Sequence, residues 1–203
     1  PELLWIKSRS NPGSGHYHHV FDVVRGKSSG FYKSLYPNER DAEDSYAGST
    51  YGGVTTFNSN GFSLSNVGGN DHLNKSGDTY VAWAWNASSS TASTNTSGSI
   101  NSSVCKNQNA GFSIVGWTGN NSNATIGHGL NAVPELIILK DRDTSRDWYV
   151  GSSYLSGSPW LKYMNLNSSN GGNSNSDVFQ QGGQPTSSVF GVGAVGNPSG
   201  TNI

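Results

Sequence analysis

The sequence is poor in most of the features that announce an activity. A single cysteine, Cys105, in 203 residues excludes an internal disulfide and leaves stability to packing, metal or oligomerisation. Cys105 sits in a polar stretch and takes no role. Charged residues make up only 12% and the formal net charge is -1, so no basic stripe exists to follow a phosphate backbone or an anionic membrane. The partner classes excluded are therefore nucleic acid and, by hydropathy, the bilayer interior: no apolar run approaches the roughly 20 residues that span it. No signal-peptide pattern opens the chain, which starts at Pro1 without a Met and reads as a fragment or processed product. Convincing helical periodicity is also missing.

What is present is a strand vocabulary. Hydrophobic residues are 33% and aromatics 11%. They fall in short clusters, rich in β-branched and aromatic side chains, between Gly, Asn, Ser and Pro. That pattern predicts an all-β fold, an antiparallel β-sandwich of jelly-roll or lectin-like type. In Tyr80 to Trp85 alternation sets Val81, Trp83 and Trp85 on one face against Tyr80, Ala82 and Ala84, and the first face is the predicted core side. Leu3 to Lys7 and Leu136 to Lys140 are apolar on both alternating faces, as central strands are. Asn58-Ser59-Asn60-Gly61 marks a hairpin turn, with Asn-Gly favouring positive φ. Asn170-Gly171-Gly172-Asn173 marks a flexible loop.

An internal repeat organises the chain. Pro1-Glu2-Leu3-Leu4-Trp5-Ile6-Lys7-Ser8-Arg9 aligns with Pro134-Glu135-Leu136-Ile137-Ile138-Leu139-Lys140-Asp141-Arg142, an offset of 133 residues. The same offset matches Thr55-Thr56-Phe57 to Ser188-Val189-Phe190, and with a gap Ser76-Gly77-Asp78-Thr79 resembles Ser199-Gly200-Thr201. Residues 1–86 form the C-terminal part of a first β repeat and 107–203 the N-terminal part of a second. The intervening 87–106, rich in Ser, Thr and Asn, reads as a linker or long loop. Lacking its opening strand, the first copy is expected to be completed by Gly111 to Trp117 or by an upstream segment.

The Pro-Glu-Leu segment, the Thr55 to Phe62 strand-turn-strand and Ser76-Gly77-Asp78-Thr79-Tyr80-Val81-Ala82-Trp83-Ala84-Trp85 together resemble a repeat domain of uncharacterised function. That domain occurs in virion and tail proteins of marine bacteriophages, including phages of cyanobacteria. Gly111-Phe112-Ser113-Ile114-Val115 and His128-Gly129-Leu130 look like its opening. The resemblance implies a lectin-like β-sandwich in a phage structural or host-adhesion role, located on a virion or otherwise extracellular. It brings no catalytic residues.

The candidate chemistry is thin. His16 and His18, on a strand, would share a face and an ion, but zinc asks for about four protein ligands, so an exposed polar strand edge is the competing reading. His128, between glycines, reads as a turn residue. Asp141 to Asp147 begins like a calcium loop, yet Arg146 stands where the turn glycine belongs and Ser152 where the bidentate Glu belongs, leaving a hairpin loop with local ion pairs. Glu39, Asp41, Glu43 and Asp44, with Arg40 among them, form a solvated acidic loop, calcium being the alternative.

No metal or other cofactor is called for on these patterns. Glu2 and Glu135 are equivalent positions of two copies rather than a glycosidase pair. Gly13-Ser14-Gly15 lies in a Pro/Gly loop rather than a nucleophile elbow. The expectation is a non-enzyme. Trp148 and Trp160, beside polar Gly-containing loops, are the predicted ligand contacts, although Trp148-Tyr149-Val150 reads equally as strand core. The expected partners are other copies of the chain, other virion proteins, or a host-surface glycan. The alternative is a carbohydrate-binding domain of a secreted protein or glycan-active enzyme.

Overall fold

Short apolar clusters between turn formers become short strands, since neither enough length nor a 3.6-residue period is available for helices. A computed structural model describes residues 1–10, 16–68, 71–88, 91–155, 159–170, 172–179 and 182–203. Gly13-Ser14-Gly15 and Gly171 lie outside them. The first part of the chain forms β1 (Leu3–Ser8), β2 (His19–Asp22), β3 (Lys27–Ser28), β4 (Phe31–Tyr32), α1 (Gly48–Tyr51), β5 (Gly53–Asn58), β6 (Gly61–Ser65) and β7 (Tyr80–Trp85). Next come β8 (Ser93–Asn95), β9 (Ser102–Asn107), β10 (Phe112–Gly116) and β11 (Ala124–Gly127). The last part holds β12 (Leu136–Leu139), β13 (Tyr149–Ser152), β14 (Lys162–Asn165), β15 (Asn173–Ser174), α2 (Ser176–Phe179) and β16 (Val189–Val192). The fold is all-β and sandwich-like, with several antiparallel sheets.

The two Pro-Glu-Leu strands, β1 and β12, each take an antiparallel partner. β1 pairs with β2 through Leu3↔Asp22, and β12 pairs with β13 through Leu136↔Ser152. β2 is then bridged to Leu35, as β13 is joined to β14 by Val150↔Met164. Each copy has its own core. Leu4, Ile6, Phe21, Val54 and Leu73 fill the first, while Ile126, Leu139, Val178, Phe190 and Val192 are among those filling the second. Burying one such side chain stabilises by about 1.5–3 kcal/mol.

The copies diverge at their edges. β7 lies on the far side of β1 in the order β2-β1-β7, whereas β12 ends the sheet β12-β13-β14-β15. β5 pairs with β6, and its counterpart β16 pairs with β11. The β5–β6 hairpin turns where Asn58 to Gly61 predicts it, but Ser59, Asn60 and Gly61 all keep negative φ. Gly111 to Trp117 does not supply a strand to the first copy, because β10 takes β9 as its ladder partner. The segment 87–106 is not a plain linker either. It holds β8 and most of β9, and Ser102 turns inward to donate from Oγ to the Gly127 carbonyl at 2.7 Å.

The two copies meet at a charged joint. Glu43 accepts from Arg142 Nε at 2.9 Å and Nη2 at 2.8 Å, and from Arg25 Nη1 at 3.2 Å. Lys33 Nζ adds a contact at 3.5 Å. Burial pushes the Glu43 carboxyl up, but the Arg142 hydrogen bond and the surrounding cations outweigh it and hold the group below its ordinary value. Beside this hub, Trp148 Nε1 donates across the joint to the Tyr36 carbonyl at 3.0 Å.

Candidate functional site

The site with a free surface is the outer face of the first sheet. β7 runs antiparallel to β1 with Trp85 opposite Leu3, Trp83 opposite Trp5 and Val81 opposite Lys7. Opposite residues share a face, and Leu4 and Ile6 already point to the core, so Trp83 and Trp85 are carried outward with Trp5. This reverses the expected core assignment: Trp83 is 47% and Trp85 37% exposed. The indoles are held in place by neighbours. Trp5 meets Trp83 edge-on at 6.2 Å and donates from Nε1 to His18 Nδ1 at 2.8 Å, and Trp85 stacks on Phe112 at 6.3 Å. Such a surface offers aromatic faces to an apolar side chain or to the C–H face of a sugar, with His18 and Lys7 as polar neighbours.

Neither tryptophan offered as a ligand contact is free, and for Trp148 the alternative strand-core reading holds. Trp148 and Trp160, expected at the surface, are both buried. Trp148 is covered by the first repeat, and Trp160 packs edge-on against Phe179 in the second core. A second free feature is β12, where Leu136 is 58% and Ile138 46% exposed on an edge strand.

The histidines do not converge as a metal pair. His18 is engaged with Trp5, while His16 lies 3.8 Å from the Asp78 carboxylate. His72, distant in sequence, joins His16 and His19 at ring distances of 6.0 and 5.7 Å. Burial first, then the neighbouring charges, lowers the His19 imidazole to about 3; burial and His16 lower His72 to about 4. His128 is buried, with Nε2 at 3.1 Å from the Thr186 carbonyl and Nδ1 accepting from the Leu130 N–H. Among the described residues no group of three His, Cys, Asp or Glu is placed to hold a metal ion.

The acidic loop is spent on internal contacts. Glu43 is the joint, and Asp44 accepts the Ser34 N–H at 3.0 Å. Asp41 lies among the charges that act on Lys140. The repeated lysine explains part of the motif: Lys7 Nζ donates to the His16 carbonyl at 2.8 Å, and Lys140 Nζ donates to the carbonyls of Asp141, Thr144 and Arg40. Each ammonium thus ties down main chain near its strand's end. Burial lowers Lys140 to about 8. Asp141 caps the following turn through the N–H groups of Asp143 and Thr144 and pairs with Arg146, so this loop is the ion-paired turn its sequence predicts.

Sequence reasoning missed Trp5 and His72 as members of these clusters. Trp5 had a signal, its place opposite Trp83 once β1 and β7 are paired, whereas His72 had none. No helix among the described residues is long and apolar enough to cross a membrane. Searches of curated proteins and of solved structures return no match. The whole of residues 1–203 matches the family described as Domain of unknown function (DUF7483), and the chain belongs to it.

Proposed function

We propose that the chain is a non-catalytic structural or adhesion module of a larger assembly, and that it works through the tryptophan face of β7. One observation carries this reading: Trp83 and Trp85 stand exposed beside Trp5 on one face of a sheet. Clustered exposed aromatics are the kind of surface that a partner covers. Packing against a neighbouring subunit comes first, because duplicated units favour many weak contacts repeated on one particle. The setting implied by the sequence resemblance is a phage virion or tail. A second reading, a host-surface glycan stacked on the indoles, is favoured by the polar His18 and Lys7 on the same face.

Sedimentation of the chain from about 1 to 100 μM, with a glycan array probed by a multivalent form, tests both readings. Concentration-dependent association or glycan capture, either one lost in Trp83→Ser/Trp85→Ser, is the expected result. A chain that stays monomeric and captures no glycan overturns the proposal.

A further inference from the structure

β1 and β12 are the matching Pro-Glu-Leu strands of the two sequence copies, and of the two, among the described residues, only β1 has both edges paired. Arg9 donates its N–H to the Thr79 carbonyl, and with the β1–β7 register this turns the main chain of Leu3, Trp5 and Lys7 toward β7. The matching positions on β12 and just beyond it are Leu136, Ile138 and Lys140. Ser153 donates to the Glu135 carbonyl, so Glu135, Ile137 and Leu139 face β13, and Leu136 and Ile138 turn their main chain to the open side. On the adjoining sheet face the side chains of Leu136 and Ile138 stand exposed.

We propose that this edge is a binding site for one β-strand of the β7 kind, donated by a partner polypeptide and paired antiparallel to β12. The register is the one β1 displays: tryptophans of the donor opposite Leu136 and Ile138, alanines opposite Ile137 and Leu139. The donor is an unpaired strand, because the edge of β7 that would make these bonds is already held by β1. Main-chain hydrogen bonds supply the attraction and the alternation of large and small side chains supplies the register. The proposal rests on the assembly reading and adds to it a second contact, separate from the tryptophan face of β7.

A peptide with the sequence of Thr79 to Asn86 provides the probe, titrated into the isotope-labelled chain. Amide shifts centred on Leu136 to Lys140, with slowed exchange at the Leu136 and Ile138 amides, are expected. N-methylation of the peptide at its Trp83 residue removes a hydrogen bond to β12 and weakens binding about tenfold, whereas N-methylation at Ala84, which faces away, leaves it within about twofold. Ile138→Pro in the chain abolishes binding, and the two methylated peptides keep the test decisive should that variant fail to fold. Equal weakening by both methyl groups, shifts centred elsewhere, pairing of β12 with itself in a second copy, or no shift at about 1 mM peptide overturns the proposal. Self-association without peptide binding sinks this site and leaves the assembly reading standing. Peptide binding by a chain that neither associates nor captures glycan does the reverse.

Discussion

Acidification from pH 7.5 to 5 is expected to destabilise the fold through His19 and His72. His19 is buried, stacked on Phe21 at 6.0 Å and edge-on to Tyr36 at 5.2 Å; His72 is stacked on Tyr51 at 4.4 Å. The groups around them are Lys7, His16, His18, Asp71 and Asp78. With folded values of about 3 and about 4, both imidazoles stay neutral where the unfolded chain, titrating near 6.5, takes up protons. Between those values the unfolded state binds more protons, so stability is fully present above about pH 6.5 and is lost as pH falls. At pH 5 each site costs about 2 kcal/mol, at 1.36 kcal/mol per pH unit over about 1.5 units, and the pair about 4 kcal/mol. That is a large part of a total that is typically about 5–15 kcal/mol. His18 and His128, also lowered by burial, add in the same direction. Glu43 acts only at lower pH, and Asp44, pushed up by burial, works in the opposite sense there. Urea unfolding at the two pH values measures the loss, and His19→Phe and His72→Phe should each remove about half of it. Equal stabilities at both pH values, or a double variant that keeps the full slope, would refute the argument.

The remaining predictions concern packing. Glu43→Gln leaves Arg142 and Arg25 buried without their shared carboxylate, and should cost about 3–5 kcal/mol in a urea unfolding series. A loss below about 1 kcal/mol would mean that the joint carries no weight. Trp148→Ala should cost about 3–5 kcal/mol and Trp83→Ala well under half of that, measured by thermal melting; the opposite order would restore the assignment that alternation suggests. Gly119→Ala sets a Cβ against the Pro198 carbonyl, where Gly119 also bonds Thr201 and Gly200, and should cost about 1–3 kcal/mol. An unchanged melting temperature would show that this terminal loop yields freely.

The strands were legible because their causes are local. Alternation over five residues and a lysine that must reach a nearby carbonyl leave direct marks, as Lys7 and Lys140 do. That Trp83 and Trp85 stand outside was not legible. Alternation separates Trp83 from Ala82, but only pairing with β1 decides which of them points to Leu4 and Ile6. Between its two readings, surface contact or strand core, Trp148 was undecided for a related reason: its indole donates to the carbonyl of Tyr36, 112 positions away, on the other repeat. Composition misled at 87–106, where serine was read as loop although Ser102 lies inside a strand and satisfies its hydroxyl on Gly127. His16 and His18 look like neighbours on one face, yet they precede β2 and are drawn apart, one to Asp78 and the other to Trp5. The open edge of β12 follows from the sequence only when β1 and β7 are known to pair.

The Glu43 joint also sets what a pull along the module would break. Arg142 grips Glu43 through two parallel bonds while Arg25 holds the same carboxylate from its own side, so hinging the copies apart must part both Arg142 bonds together. A strand added to β12 would be held over only four residues. Under load an array of such modules would therefore yield at the added strand first, and the two repeats of one chain would travel as a single rigid link.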